Sequence, residues 1–395
     1  MLPLLRSGTG HARQVSKREL WNNVTGPHLR GAVLTQRRVY PEIDGPEFLG
    51  PGPIGVPLAD EALAALAAAG ANLLILSHPG IFTETPPFRL AEDSLANLDD
   101  LVRRAARWGL YVVIGYRSGP GRSAFTFHRD DAGSWFPAHM LDDRVWTDFS
   151  YHQAWEDMWR TTARHFRART NVAGYLLMVE PNANQVAVDA AGRPLEIWQA
   201  DRLAQTVANT PADWGLLARR LGAAVRSIDP ETPVLVSPDG YANSMFERNL
   251  GLAPEAPEIL CVHDYAPRDY THQAADAGRV FAAGEARFQP PQHPRWMMGE
   301  WGCTAGLRRD TTIWMNGSRT SNAPGPAGPC FAGTVAGRSM SARRTGSTSA
   351  PAERIATSSM CCAVAGALTS LAHRSTCDAS ERSACHPAGR GPSSA

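Results

Sequence analysis

The sequence lacks several features that would assign it to a functional class directly. Lys17 is the only lysine among 39 basic residues, and the formal net charge is +1, so no polybasic surface for nucleic acid or anionic lipid is predicted. No run approaches the roughly 18 apolar residues of a membrane helix, and the N-terminal apolar stretch gives way to charge after five residues, which is not typical of a signal peptide. We therefore expect neither nucleic acid nor a membrane as partner. A cytoplasmic location follows, unless the start codon is misassigned; the oligomeric state is open.

Paired cysteines and common hydrolase motifs are also missing. Of seven cysteines only Cys261 and Cys303 precede residue 330, and no CxxC pair occurs, so a zinc site is not indicated and we expect no metal or organic cofactor. There is no GxSxG motif and no cluster of metal ligands in the sequence, which argues against a serine hydrolase or a metalloenzyme. By contrast, 43% of the residues are hydrophobic, which is ample for one large α/β domain.

Short runs rich in leucine or β-branched residues alternate with amphipathic stretches from residue 30 onward. This alternation is typical of repeated βα units on a parallel sheet, and it predicts an α/β fold of the (β/α)₈ TIM-barrel type, for which about 250 residues is usual. The predicted strands are 30–34, 71–76, 110–115, 173–179, 233–237, 258–264 and 295–299. The predicted helices between them include 58–70, 91–109, 152–169, 212–228 and 271–287. An eighth strand is not evident in the sequence.

The composition changes after residue 306. From there onward Ser, Ala, Gly, Pro and Arg predominate, five of the seven cysteines occur, and only three acids follow Asp310. Two interpretations stay open for 307–395: a disordered low-complexity tail, or, beyond about Asn316, an out-of-frame translation of a GC-rich gene. We therefore divide the chain into a barrel, 1–306, and this tail.

Two glutamates stand where predicted strands end, at the mouth of such a barrel. Glu180 follows the fourth strand in YLLMVEPN, and Glu300 follows the seventh in WMMGEWG. Hydrolysis of a glycosidic bond needs one carboxyl group to protonate the leaving oxygen and another to attack the anomeric carbon, about 5–5.5 Å apart when configuration is retained. Either glutamate alone would suit an ordinary strand-end acid paired with an arginine. Their occurrence together on strands four and seven favours catalysis.

From 29 to 302 the chain resembles glycoside hydrolase family 5, the cellulase family of retaining barrel glycosidases. GYLLMVEPN, MMGEWG and VHDYAP are similar to the family's strand-four Asn-Glu-Pro, strand-seven Gly-Glu-aromatic-Gly and strand-six His-x-Tyr motifs. The resemblance implies hydrolysis of β-glycosidic bonds in a poly-, oligo- or glycoconjugate saccharide, with Glu180 as acid/base and Glu300 as nucleophile. It also implies that Tyr265 hydrogen-bonds Glu300 and that His263 contacts the substrate or the acid/base.

The position before the acid/base departs from the family pattern. An asparagine that binds the sugar 2-hydroxyl is usual there, whereas this chain has Val179, whose side chain donates no hydrogen bond. Asn182 or Asn184, just beyond, is the expected substitute.

Strands two and three depart as well. Ile75 stands in place of the strand-two arginine, and Arg117 and Ser118 replace a strand-three histidine pair. An exchange of roles is expected, in which His78 and Arg117 supply positive charge that lowers the pKa of Glu300. The alternative is a solvated Arg117 in a flexible loop.

Eleven tryptophans suit a saccharide site, because indole faces stack on sugar rings. Trp155 and Trp159 are four residues apart on a predicted helix and are expected in the core, whereas Trp135 and Trp301 are the candidates for stacking on substrate. The family's strand-eight aromatic has no visible counterpart. The alternative function is therefore a catalytically inactive carbohydrate-binding barrel or a truncated, non-functional product.

Overall fold

The computed structural model describes residues 16–22, 25–45, 54–271 and 289–301, and the backbone of three short strands further on. Within these residues, no helix has the length and apolarity needed to span a membrane. The predicted helix at 271–287 lies outside the described residues apart from Thr271, and so does most of 307–395.

Seven parallel strands form most of the barrel wall. They are β1 (Arg30–Thr35), β2 (Leu73–His78), β3 (Tyr111–Tyr116), β4 (Val172–Leu176), β5 (Val234–Val236), β6 (Ile259–Asp264) and β7 (Trp296–Trp301). Each pairs in parallel with the next along the chain, from β1 to β7. All seven coincide with predicted strands, so the prediction of a (β/α)₈ barrel is confirmed.

The gap between β1 and β7 is closed from the C-terminal segment. Strand β8 (Trp314–Met315) pairs with β9 (Ser318–Arg319) in a separate two-stranded sheet, and β10 (Gly333–Ala336) lies antiparallel to both β1 and β7. Because an open sheet leaves two rows of backbone groups without partners, this strand completes the barrel. The domain boundary at residue 306 and the out-of-frame interpretation stay predictions.

The described helices surround the strands. They are α1 (Pro41–Asp44), α2 (Asp60–Ala68), α3 (Glu92–Arg107), α4 (Phe149–Phe166), α5 (Ala183–Val186), α6 (Ala200–Val207), α7 (Trp214–Arg226), α8 (Asp239–Ala242) and α9 (Arg268–Thr271). The carboxylates of Asp148 and Asp213 accept backbone N–H groups at the start of α4 and α7, as N-caps do. α3 has acids in its first turn and arginines in its last, an order that the helix dipole favours.

Alternation along each strand separates two hydrophobic layers. On β2, Leu73 and Ile75 belong to the cluster inside the barrel, whereas Leu74 and Leu76 belong to the layer between strands and helices, as the two-residue period of a strand requires.

The predicted core tryptophans lie in the outer layer. Trp155 and Trp159 are both 0% exposed, and their indole N–H groups donate to the carbonyls of Pro120 at 2.8 Å and Leu177 at 3.0 Å. Their assignment to the core is confirmed, and α4 is thereby fixed against the barrel wall beneath the mouth.

Candidate active site

Glu180 and Glu300 face each other across the carboxyl ends of the strands. Glu300 lies on β7, and Glu180 follows β4 after Val179, whose N–H still bonds the carbonyl of Tyr116 at 2.8 Å. Both carboxylate side chains are 13% exposed. One oxygen of each and one ring nitrogen of His263 all lie within 4.8 Å of one another, so the sequence-distant acids form a single site.

Arg122 holds the backbone on which Glu180 is presented. Glu180 has φ = +50°, a conformation that costs a non-glycine residue about 1–3 kcal/mol. The guanidinium of Arg122 donates to the carbonyls of Val179 at 3.0 Å and Glu180 at 2.6 Å, and to Oδ1 of Asn182 at 3.3 Å. Burial lowers the pKa of Arg122 to about 10, so the group remains charged at neutral pH. The sequence shows only an arginine in a Gly-Pro-rich loop, and Arg122 was not predicted.

His263 lies between the two carboxylates. Its Nδ1 is 3.0 Å from Oε1 of Glu180 and 3.6 Å from Oε2 of Glu300. Burial acts to lower the pKa of His263, but the charge of Glu300 and hydrogen bonds with Cys261 and Glu180 raise the pKa well above its ordinary value. The two carboxylates thus favour the imidazolium form of the ring, in which Nδ1–H donates to Glu180.

Tyr265 is the hydroxyl donor to the other acid. Its O–H donates to Oε2 of Glu300 at 2.9 Å, the contact that the resemblance to family 5 implies. Burial and the charge of Glu300 raise the pKa of Tyr265 far above its ordinary value. The phenol stays protonated throughout the working pH range and remains a hydrogen-bond donor.

The two carboxyl groups have opposite pKa shifts. Burial acts to raise the pKa of Glu180, but the hydrogen bond and charge of His263 and the charges of Arg117 and Arg122 bring that pKa below its ordinary value. Burial also raises the pKa of Glu300, and the negative charge of Glu180 adds to this, so that the pKa stays raised although His263 and Arg117 oppose it. The expected effect of Arg117 on Glu300 is therefore present, but it is outweighed, and the net pKa of Glu300 is raised rather than lowered.

His78 does not contribute the expected positive charge. It is 0% exposed, its Nε2 lies 3.2 Å from Oδ1 of Asn97, and burial lowers the pKa of His78 to about 3. The ring is neutral and cannot contact a substrate, so the prediction of a site role is wrong. Its position explains this, because His78 lies on the same face of β2 as Leu74 and Leu76, which point outward from the barrel.

Arg117 reaches the site, but on the side of Glu180. Its Nη1 lies 3.6 Å from Oε2 of Glu180, and its guanidinium carbon lies 3.6 Å from the ring centroid of Phe127. The side chain is 28% exposed. Arg117 is therefore held against an aromatic face rather than solvated in a loop.

Comparison with known proteins identifies the family. Residues 53–322 match the family model for cellulase, glycosyl hydrolase family 5, which is more than half of the chain. The chain belongs to glycoside hydrolase family 5. It is therefore a glycoside hydrolase, and the resemblance seen in the three strand-end motifs is confirmed.

Several solved structures are similar to this family 5 enzyme. A glycoside hydrolase shares 15% sequence identity with a TM-score of 0.47, and the match covers 70% of this chain and 79% of that chain. An endoglucanase shares 18% identity with a TM-score of 0.42, and the match covers 66% of this chain and 67% of that one. Thermotoga maritima Cel5A in complex with mannotriose shares 15% identity with a TM-score of 0.42, and the match covers 64% of this chain and 75% of that one. No curated protein matches the chain. The family assignment rests on the family model.

The two asparagines expected to replace the family's sugar-binding asparagine are not available to substrate. Asn182 and Asn184 are both 0% exposed. The amide of Asn182 donates to Oγ1 of Thr126 at 2.9 Å, and that of Asn184 donates to the carbonyl of Ile197 at 3.2 Å. The left-handed backbone at Glu180 turns the chain away from the mouth, so the predicted substrate contact at Asn182 is wrong.

The two predicted aromatic platforms differ in exposure. Trp135 is 50% exposed and, with Arg117, lines a cavity of about 210 Å³. Trp301 is partly buried against the core, and its Nε1 has no hydrogen-bond partner among the described residues. Stacking on substrate stays a prediction for both. A further pair was not predicted: Trp198 stacks on Tyr241 with ring centroids 6.4 Å apart and planes inclined by 20°.

The charges in the site oppose a metal ion. Glu180, His263 and Glu300 together offer three ligand atoms within 4.8 Å of one another. However, an imidazolium must lose its proton to bind a metal, and the guanidinium of Arg117 already lies beside Glu180. The arrangement suits proton transfer between carboxyl groups better than cation binding.

Proposed function

We propose that this family 5 enzyme is a retaining glycoside hydrolase that cleaves β-glycosidic bonds of a poly-, oligo- or glycoconjugate saccharide by double displacement. The observation that carries the proposal is the separation of the two carboxylates, whose nearest oxygens lie within 4.8 Å. This upper limit is shorter than the about 6.5–9.5 Å that inverting enzymes leave for a water molecule, and so it favours the close arrangement of about 5–5.5 Å typical of retaining enzymes.

Glu300 is the proposed nucleophile. Its carboxylate attacks the anomeric carbon and forms a glycosyl ester as the bond to the leaving oxygen breaks. Tyr265 donates to Oε2, so Oε1 is the oxygen left for attack. A fixed hydrogen bond of this kind also favours the ionised form of the acid.

Glu180 is the proposed acid/base. In the first step its carboxyl group gives a proton to the leaving oxygen, and in the second its carboxylate takes a proton from water as that water attacks the anomeric carbon and releases Glu300. His263 orients the carboxyl group through Oε1. The backbone carbonyl of Glu180 is fixed at the same time by Arg122.

Trapping of the intermediate tests this assignment. The protein is incubated with a panel of 2-deoxy-2-fluoro β-glycosyl fluorides, and the peptides are analysed by mass spectrometry. We expect one sugar to be attached to the peptide that contains Glu300, no label in Glu300→Gln, and normal labelling in Glu61→Gln, which changes an exposed glutamate of α2. A label on another peptide, or an α-anomer as the first product by NMR, would contradict the proposal.

The second candidate is a catalytically inactive carbohydrate-binding barrel, which Val179 favours because the usual donor to the 2-hydroxyl is missing. Sugar binding without turnover or labelling on the same panel would support it over the retaining hydrolase.

A further inference from the structure

A positively charged cavity lies beside the proposed acid/base. Its volume is about 210 Å³, below the about 300–1,000 Å³ of sites for drug-sized ligands, so it suits one sugar unit rather than a chain segment. Thr35, Pro79 and Arg117 line it from the ends of β1, β2 and β3. Arg117 also lies 3.6 Å from Glu180, so it links the cavity to the proposed acid/base.

Arginines outnumber acids in the cavity wall. Arg37, Arg38 and Arg117 line it together with one carboxylate, Asp44. Arg37 is bound to that aspartate, and Arg38 lies 3.4 Å from the carboxylate of Glu84, behind the wall. The remaining positive charge is that of Arg117.

Arg117 is oriented for a ligand. Among the described residues its guanidinium makes a long ion pair with Glu180 and packs on the ring of Phe127, but it donates no hydrogen bond to any of them. The aromatic contact fixes the plane of the guanidinium, so little further ordering is needed when it binds. A planar guanidinium with unused N–H donors is complementary to a carboxylate, which it binds through two parallel hydrogen bonds.

We propose that Arg117 binds the carboxylate of an acidic sugar, and that the preferred substrate is therefore a saccharide with a uronic acid next to the cleaved bond. Trp135, half exposed on the cavity wall, supplies an apolar face for the ring of that sugar. This inference deepens the proposed function and rests on it.

The charge of Arg117 also matters for catalysis. Beside Glu180, a cation favours the ionised carboxylate and so opposes the proton transfer that starts the reaction. A substrate carboxylate at Arg117 neutralises the cation when the acid has to act. A neutral sugar offers no such compensation, which is why the chemistry of the site favours an acidic one.

A matched pair of ligands tests the proposal. Cellobiouronic acid and cellobiose differ in one carboxylate, and their binding to the full chain is measured by isothermal titration calorimetry at low and high salt. We expect the acid to bind at least about tenfold more tightly, as a hydrogen-bonded ion pair implies, with a preference that falls at high salt. Arg117→Gln should abolish the preference and Arg117→Lys should reduce it.

A charge control completes the test. Arg103→Gln removes the same charge from the exposed side of α3 and should keep the preference. Equal binding of both sugars, no binding of the acid, or a preference that survives Arg117→Gln in a folded variant would overturn the proposal.

The two proposals fail separately. Labelling of Glu300 without any preference for the acid leaves the retaining mechanism and removes the acidic substrate. A preference for the acid that depends on Arg117, without labelling or turnover, leaves the anion site and removes the proposed catalysis.

Discussion

Replacement of Tyr265 by phenylalanine tests whether Glu300 acts as an ionised nucleophile. The change removes the O–H that lies 2.9 Å from Oε2 of Glu300 and keeps the ring. A hydrogen bond to a charged group is worth about 1.5–3 kcal/mol, and each 1.36 kcal/mol is tenfold in rate. Since the carboxylate is largely buried, we expect kcat/KM to fall by roughly 10–100-fold.

The pH dependence of the same variant gives a more specific result. The hydrogen bond from Tyr265 lowers the pKa of Glu300, so its loss raises that pKa further. Because attack needs the ionised form, the acid limb of the kcat/KM profile should move to higher pH by about one to two units. Measurement of kcat/KM on an aryl glycoside between pH 4 and 9 checks this.

Tyr116→Phe is the matched control. It removes a buried hydrogen bond of 2.6 Å to Thr162 in the outer layer and should lower stability by about 0.5–1.5 kcal/mol without moving the acid limb. If Tyr265→Phe has an unchanged acid limb and a rate within about twofold of the original, the argument for Glu300 fails.

Three further predictions follow from the buried charges. Arg122→Lys keeps the charge but loses the pair of guanidinium hydrogen bonds to the carbonyls of Val179 and Glu180. We expect kcat to fall at least about tenfold with little change in KM. A proportional rise in KM would contradict a positioning role. His263→Asn removes a charge that lowers the pKa of Glu180. The basic limb of the kcat/KM profile should therefore move to higher pH. An unchanged basic limb would refute the electrostatic interaction between His263 and Glu180. Burial raises the pKa of Asp239 to about 6, so the folded state holds a proton on Asp239 that the unfolded state loses at about pH 4. The contribution of this proton to the free energy of unfolding is complete below about pH 4 and is lost as the pH rises through 6. Between pH 4 and 8 the free energy of unfolding of Asp239→Asn, measured with urea, should rise by about 3 kcal/mol relative to that of the wild type. The same pH dependence in both proteins would contradict this.

The fold was largely predictable because buried parallel strands have a simple sequence pattern. β2, β3 and β4 are almost entirely buried, so they read as continuous apolar runs. Gly70 and Gly109 follow α2 and α3 and mark where these helices end. β10 could not be predicted in the same way. It has four residues in a Gly-rich segment, and its antiparallel position depends on the two open edges that it fills rather than on its own pattern.

The site was predictable where function depends on the end of a strand. Glu300, His263 and Tyr265 lie on or just after β7 and β6, and the parallel order of the strands brings them together. Asn182 was misjudged because the positive φ of Glu180 turns the following residues inward. Arg122 was missed because its acceptors lie nearly 60 residues away along the chain, and no local pattern reports such contacts.

The distribution of charge in the site links the mechanism to the inferred substrate. Arg117, Arg122 and His263 all favour ionised Glu180, whereas burial and the charge of Glu180 favour a proton on Glu300. The pKa of Glu180 is thus lowered and that of Glu300 raised, whereas the first chemical step needs a proton on the acid and a charge on the nucleophile. Of the three cations, only Arg117 is partly exposed to a ligand. A substrate anion at Arg117 removes one of the charges that depress the pKa of Glu180, and in this way binding of the acidic sugar prepares the acid that cleaves it.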